Sequence, residues 1–86
     1  MKIRFHGNFE KQYRKLRKNE QSQVRKRLSL FSKDEFNPIL NNHPLSGKYK
    51  GYRSVNITGD IRALYKYQNP SIRIFVVIDS HGNLYK

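Results

Sequence analysis

Apolar residues recur at two different spacings along this chain, and each spacing predicts a different kind of element. Residues 2–5 alternate between polar and apolar side chains, which predicts a short first strand. Phe9, Tyr13 and Leu16 then recur at the spacing of a helix face, and Asn8 stands where it could cap the helix start. The pattern therefore predicts a strand followed by a helix.

A second helix is predicted after Asn19, with Val24, Leu28 and Phe31 as its apolar stripe. Asn37–Pro38 should end it, because a residue that precedes proline disfavours helical backbone. Two helices joined by a short connection form an antiparallel hairpin. Such a hairpin needs a sheet against which to bury its apolar side.

The second half of the chain changes to an apolar period of two, which is typical of strands. A loop rich in Asn, Pro, His and Ser comes first, at residues 37–47, and turn residues recur at Thr58–Asp60 and at 68–71. The remaining stretches predict three strands, at residues 49–57, 61–68 and 72–78. The last of these is the most apolar and is expected to lie in the centre of a sheet.

Together these elements predict a single domain over residues 1–86, of the α+β class. An N-terminal strand precedes a two-helix hairpin, which packs on one face of a small, mainly antiparallel β-sheet. The other face of the sheet, or its rim, is left for a ligand.

The charge of the chain narrows the choice of ligand. Lys and Arg number 18 against 6 Asp and Glu, which gives a formal net charge of +12. Charge of this density favours nucleic acid, an anionic membrane surface or an acidic protein as partner. No stretch reads as a membrane span and the first residues lack a secretory signal pattern, so we expect a cytoplasmic location and no membrane partner.

No metal and no other cofactor is expected. The chain lacks cysteine, and its three histidines, His6, His43 and His81, show no metal-binding spacing. Asp60 and Asp79 are the only carboxylates in the second half of the chain and fall in different turns. This distribution argues against two-metal phosphoryl transfer and against glycoside cleavage, since both need clustered acids.

Two groups of basic residues could bind a polyanion. Residues 48–53 interleave Lys48, Lys50 and Arg53 with tyrosines, so they could neutralise phosphates and stack bases, or could equally form a lysine-protected edge strand. Arg62 lies within a strand pattern, where it either faces solvent or holds a phosphate through two parallel hydrogen bonds.

Acid–base groups follow the strands. His81 comes after the most apolar strand, and histidine is the side chain best suited to proton transfer near neutral pH. His43 and Asp60 could each be only loop-forming residues. An acid, a base, cations and aromatics without metal ligands nevertheless fit metal-free RNA cleavage. There the RNA's own 2′-OH attacks the adjacent phosphate, while the enzyme moves protons and stabilises the developing charge.

The order of motifs resembles the RelE/ParE superfamily of toxins from type II toxin–antitoxin systems, and is most similar to its YafQ-like branch. The motifs are HPLSGKYKGYR at residues 43–53, DIRALYK at 60–66, an apolar strand, and SHGNLYK at 80–86. The resemblance implies a RelE-like microbial ribonuclease fold and a ribosome-dependent mRNA endonuclease. The partners it implies are a cognate antitoxin and mRNA on the ribosome.

The resemblance also implies roles for single residues. His81 matches the histidine of the terminal motif and is the first choice for proton transfer, while His43 and Asp60 match further acid–base positions of the YafQ-like branch. Tyr85 matches a late aromatic residue that stacks on or orients the cleaved nucleotide. Arg62 matches an arginine of the RelE branch that contacts the scissile phosphate.

The match is not complete. Arg53 corresponds to a basic strand residue of the RelE branch, but Asn56 stands where the YafQ-like branch has histidine, and Ile61 where it has tryptophan. The first change removes a candidate for proton transfer and the second removes a stacking ring. Asp79 replaces a usual glycine and would bring a carboxylate near the path of the phosphate.

Two other functions fit the same sequence. ParE-like members of the superfamily block DNA gyrase without catalysis, and a basic domain of this kind could also bind RNA or the ribosome passively. The histidines favour the nuclease, because an inhibitor needs no acid–base group.

Overall fold

The computed structural model describes residues 1–86, and its elements follow the predicted order. The strands are β1 (Lys2–Phe5), β2 (His43–Pro44), β3 (Arg53–Asn56), β4 (Ile61–Asn69) and β5 (Ile72–Ser80). The helices are α1 (Gly7–Arg14), α2 (Lys18–Lys33) and α3 (His81–Leu84), and short 3-10 turns cover Pro38–Leu40 and Gly47–Tyr49. None of the helices combines the length and the apolar composition needed to cross a membrane.

All the strands join in one five-stranded sheet in the order β1–β5–β4–β3–β2. β1 runs parallel to β5, whereas the other neighbouring pairs are antiparallel. A parallel pair needs a long connection, and here both long helices lie between β1 and β5 in the chain. The predicted α+β class with a mainly antiparallel sheet is confirmed.

The core lies between the helix hairpin and one face of the sheet. Phe31 of α2 is fully buried and packs edge-on against Tyr65 of β4 and Phe75 of β5, with ring centroids 4.9 and 5.1 Å apart. Phe9 of α1 and Val24 of α2 belong to the same cluster. Edge-to-face aromatic pairs contribute about 0.5–1.5 kcal/mol beyond the area that they bury, so this cluster fixes both helices on the sheet.

The cap of α1 differs from the prediction. His6, not Asn8, is the N-cap residue, and its Nδ1 accepts a hydrogen bond from the Asn8 backbone N–H at 3.0 Å. Asn8 instead donates from Nδ2 to the Val76 carbonyl at 2.8 Å, and Gln12 Oε1 accepts from the Ile78 N–H at 3.0 Å. These two side chains continue the hydrogen bonding along β5 beyond the end of β1, so polar contacts also tie α1 to the sheet.

Two predicted boundaries are wrong. The strand predicted over residues 49–57 is confined to Arg53–Asn56, because Gly47 and Gly51 have φ angles of +63° and +94°, which turn the chain out of the extended conformation. α2 ends at Lys33, before the predicted proline stop. The most apolar strand, β5, is paired on both sides as expected, but β4 is the middle strand of the sheet.

The sheet face away from α1 and α2, which we call the open face, is partly covered by the end of the chain. Ser54 and Leu64 are paired in register on this face and are buried, yet they lie outside the main core cluster. Leu84 of α3 is also buried. The Tyr85 ring contacts Tyr49, in the turn between β2 and β3. The C-terminal segment therefore folds back across part of the open face.

Candidate functional site

Helix α3 begins at His81 because the residues before it cap the turn. Ser80 is the N-cap, and its Oγ accepts from the Asn83 N–H at 3.1 Å. Asp79 Oδ1 accepts from the Ser80 N–H at 2.7 Å and from Asn83 Nδ2 at 3.1 Å. Serine is among the most favourable N-cap residues. The Asp79 carboxylate, expected near a phosphate path, is thus engaged in its own turn.

His81 is bound to the turn between β3 and β4 through its backbone. Its backbone N–H donates to the Asp60 carbonyl at 2.8 Å, while the side chain is exposed and its ring makes no hydrogen bond within the chain. The ring lies against Tyr85, with centroids 4.8 Å apart. Asp60 is exposed and its carboxylate makes no ion pair. Both imidazole nitrogens can therefore exchange a proton with a bound substrate.

Arg62 holds the same turn in place. Its Nη1 donates to the Thr58 and Ile61 carbonyls at 2.9 and 3.2 Å, and its Nη2 donates to the Gly59 carbonyl at 3.2 Å. A guanidinium has more N–H donors than these bonds use, so some remain to bind an anion. Arg62 thus fixes the turn that supports His81 and keeps part of its binding capacity.

A row of aromatic rings extends from His81 over the open face. Tyr85 meets Tyr49 edge-on at 6.3 Å between centroids, and Tyr49 meets Tyr52 edge-on at 6.2 Å. We call these four rings the aromatic row. The row joins α3, the 3-10 turn before β3 and the residue that leads into β3, which are segments from different parts of the chain.

Lysines flank the aromatic row. Lys48 Nζ lies 5.2 Å from the Tyr49 ring centroid, and Lys66 Nζ lies 5.4 Å from that of Tyr52. An ammonium is attracted to an aromatic face by the ring quadrupole, which keeps both side chains beside the row. Lys50 is exposed in the same loop. Cations beside aromatic rings are the groups with which proteins bind single-stranded nucleic acid.

Sequence reasoning assigned no role to Lys66. The signal that could have identified it is the alternation along β4, which places Lys66 on the face opposite the buried Tyr65. Its contact with the Tyr52 ring depends on how β3 and β4 pair, and the sequence of neither strand specifies that pairing.

His43 shares the open face but lies at its far edge, on the short strand β2. Register pairs it with Ser54, and neither a hydrogen bond nor a ring contact joins it to His81. His43 Nδ1 lies 2.7 Å from the Asn41 carbonyl. A carbonyl only accepts, so Nδ1 carries the proton and Nε2 of the neutral ring presents a lone pair. His43 is therefore held in the tautomer that can accept a proton at Nε2.

Arg53 points to the helix side of the sheet, away from the aromatic row. Its Nε donates to Asn42 Oδ1 at 2.8 Å, and its guanidinium carbon lies 5.3 Å from the Phe36 ring centroid. Arg53 faces this way because Tyr52 faces the other, and successive strand residues point to opposite sides. The structure therefore separates Arg53 from the lysines with which it was expected to bind RNA.

Glu35 is the centre of a polar network on that helix side. Its Oε2 accepts from the Tyr65 hydroxyl at 2.7 Å and the Tyr67 hydroxyl at 3.0 Å, and Arg73 donates to both carboxylate oxygens at 3.2 and 3.1 Å. Burial alone would raise the pKa of Glu35, but the hydrogen bonds and the charge of Arg73 outweigh it and hold that pKa below its usual value. Burial, reinforced by the Glu35 carboxylate, raises the pKa of Tyr65.

The Glu35 network positions the loop that carries His43. Asn42 Nδ2 donates to the Glu35 carbonyl at 3.0 Å and to the Tyr65 hydroxyl at 2.8 Å. With the bond from Arg53, the Asn42 amide is held through both its oxygen and its nitrogen. Because Asn42 directly precedes His43, the Glu35 network on one side of the sheet orients a histidine on the other.

One end of the open face gathers most of the predicted site residues: His81, Tyr85, Asp60, Arg62 and Lys48. His43 stands apart on the same face and Arg53 lies on the opposite one. No three side chains able to bind a metal are clustered in the chain. The arrangement can bind a polyanion, stack its bases and exchange protons.

Comparison with protein families gives a match over the whole chain. The model described as "Bacterial toxin of type II toxin-antitoxin system, YafQ" covers residues 1–86. No curated protein matches the chain.

Solved structures show the same fold. YafQ from E. coli strain BL21(DE3) superposes with a TM-score of 0.81 at 20% identity, over 98% of this chain and 97% of that chain. The YoeB/ParE toxin from Agrobacterium tumefaciens gives a TM-score of 0.76 at 18% identity, over 94% and 99%. A chain of the E. coli DinJ–YafQ complex gives 0.65 at 25% identity, over 98% and 97%.

Proposed function

The chain belongs to the YafQ family of bacterial toxins from type II toxin–antitoxin systems, and we propose that it is a ribosome-dependent endoribonuclease that cleaves mRNA without a metal. The observation that carries the proposal is the exposed His81 imidazole, in contact with the Tyr85 ring at the end of a row of rings flanked by lysines. A gyrase inhibitor or a passive RNA-binding domain has no need of a proton-transfer group in this position.

The proposed reaction is attack of a ribose 2′-OH on its own 3′-phosphate. A base of the open face, for which Asp60 and His43 are the two candidates, takes the 2′-OH proton, the O2′–P bond forms, the P–O5′ bond breaks, and protonated His81 gives its proton to the leaving O5′. The products are a 2′,3′-cyclic phosphate and a 5′-hydroxyl. The remaining N–H groups of Arg62, with Lys48, stabilise the charge that develops on the phosphate oxygens.

Dependence on the ribosome follows from the openness of the site. His81 is exposed, His43 stands at a far edge of the same face, and neither contacts the other. A free RNA strand on such a surface samples many positions, whereas efficient reaction requires both proton-transfer groups to be in place together. We propose that the ribosome supplies this positioning by presenting the message in one conformation.

A cognate antitoxin is the second proposed partner. The E. coli DinJ–YafQ complex is a solved structure in which YafQ is assembled with DinJ. The net charge of +12 on this chain would favour an acidic segment of such a partner. Failure of the protein to co-purify with the product of a neighbouring gene would count against this partner.

The products of cleavage test the proposed chemistry. When a message is translated in the presence of the purified protein, we expect fragments that end in a 2′,3′-cyclic phosphate and begin with a 5′-hydroxyl. A message with a 2′-O-methyl group on the nucleotide 5′ to the mapped cut should resist cleavage, because it lacks the nucleophile. The same group one nucleotide further downstream should leave that cut unchanged.

Primer extension maps the cuts and end-specific ligation identifies the termini. A 5′-phosphate product, or cleavage of the blocked message at the normal rate, would rule out the proposed mechanism. Loss of DNA supercoiling by gyrase in a parallel assay, with intact message, would favour the inhibitor instead.

A further inference from the structure

A concave region lies on the open face, next to the aromatic row. It is a groove of about 370 Å³ that shares only Tyr52 with the residues proposed from the sequence to bind a polyanion. Its lining residues come from β1, β4, β5 and the flanking turns: Arg4, His6, Tyr52, Lys66, Gln68, Ile74 and Val76. No carboxylate is among them.

The cations of this groove stand on both sides of β5. Arg4 on β1 and Lys66 on β4 are each in register with Ile74, one on either side of it. Neighbouring strands lie about 4.8 Å apart. The backbones of Arg4 and Lys66 are therefore separated by about 10 Å, with the apolar residue Ile74 between them. Both side chains are exposed and neither forms an ion pair within the chain.

His6 adds a third donor to the groove. Its Nδ1 accepts the Asn8 backbone N–H at 3.0 Å, so the neutral ring carries its proton on Nε2 and can donate from there. Arg4 and Lys66 can only donate. The polar rim is therefore built almost entirely of donors, which suits an anionic ligand with several acceptor oxygens.

We infer that this groove binds the phosphodiester backbone of the RNA strand whose bases stack on the aromatic row; the inference rests on the proposed function. Tyr52 belongs to both features, and Lys66 lies over its ring while it lines the groove. An acidic peptide would also match the charge. Only nucleic acid presents phosphates and flat bases side by side, as the cations and rings here require.

The test measures binding of a short single-stranded RNA with 2′-O-methyl groups throughout, which cannot be cleaved by its own 2′-OH. We expect the double variant Arg4→Ala/Lys66→Ala to bind about tenfold more weakly at low salt. The slope of log affinity against log salt should be smaller by about 0.7 for each phosphate that the variant no longer neutralises. His6→Asn should weaken binding less, since asparagine preserves the helix cap and removes only the ring.

The matched control is Lys11→Ala/Lys26→Ala, which removes two exposed cations from the helices and should leave the slope unchanged. An unchanged slope for Arg4→Ala/Lys66→Ala would overturn the inference. So would unchanged RNA binding together with weakened binding of a polyglutamate peptide, which would assign the groove to an acidic protein. Wild-type protein that binds this RNA but fails to cut translated mRNA would refute the proposed function and leave the groove measurement valid.

Discussion

Replacement of His81 by alanine is expected to lower the rate of mRNA cleavage on translating ribosomes by about 10²–10⁴-fold, the usual contribution of one general acid or base. The His81 imidazole is the one ring of the aromatic row suited to proton transfer near neutral pH. The rate is measured by primer extension on a single message, under conditions where each message is cut at most once. Arrest of growth on expression should be lost in parallel.

The His81 variants separate chemistry from folding. The side chain is exposed and the bond to Asp60 comes from the backbone, so alanine should change the free energy of unfolding little. His81→Gln retains a polar side chain but cannot transfer the proton, and should be as inactive as alanine. Tyr85→Phe keeps the ring that contacts His81 and should stay active. Wild-type cleavage by His81→Ala would remove this residue from the mechanism.

The elements around the core could be predicted because they follow from short-range periodicity. Phe9 belongs to the apolar stripe predicted for the first helix, Val24 and Phe31 belong to that of the second, and all three are buried in the core. The apolar run of β5 likewise predicts a strand with neighbours on both sides. In each case one local pattern is enough, because burial of a face depends on the residues of that element itself.

The ends of the helices and strands depend on tertiary contacts, which the spacing of apolar residues does not reveal. Two residues that can cap a helix, His6 and Asn8, compete at the start of α1, and asparagine is the better cap in general. Here Asn8 is bound by the Val76 carbonyl of a strand far away in sequence, so His6 caps instead. A tertiary contact thus decides a local feature.

The sequence indicates candidate site residues, but it does not indicate which of them lie together in the fold. His81, Tyr85 and Asp60 come from motif resemblance, and the structure brings them together. Arg53 fails to join the lysines because successive strand residues point to opposite faces and Tyr52 lies on the open one. Alternation separates Tyr52 from Arg53, but the pairing of β3 with β4 decides which of the two lies on the open face.

Glu35 had no signal in the sequence at all. Its arginine partner, Arg73, lies on the last strand, and the two meet only when that strand and the end of α2 are both in place. Glu20, by contrast, pairs with Arg17 three residues away at the same distance of 3.1 Å. The chain therefore contains one half-buried and one exposed Arg–Glu ion pair, with side-chain exposures of 9–11% for Glu35–Arg73 and 21–78% for Glu20–Arg17.

Removal of the Glu35 carboxylate by alanine is expected to reduce the free energy of unfolding by about 1–3 kcal/mol, because the half-buried Arg73 guanidinium would lose two charge-assisted hydrogen bonds. The hydroxyls of Tyr65 and Tyr67 would lose their acceptor as well. Glu20→Ala should change stability little, since exposed ion pairs contribute little. Urea unfolding measures both variants, and equal effects would contradict the role assigned to Glu35.

Acid titration gives an independent measurement in case the alanine variant fails to fold. The pKa of Glu35 is lowered in the folded state, so folding favours its ionised form. The resulting stabilisation is complete above the ordinary glutamate pKa of about 4.3 and is lost as the pH falls from there through the lower folded value. Glu35→Gln cannot titrate, so its free energy of unfolding should decline less steeply than that of the wild type between about pH 5 and pH 3. The matched variant Glu20→Gln should keep nearly the wild-type decline, because solvent screens its ion pair. Parallel declines in wild type and Glu35→Gln would mean that folding does not favour the charged carboxylate.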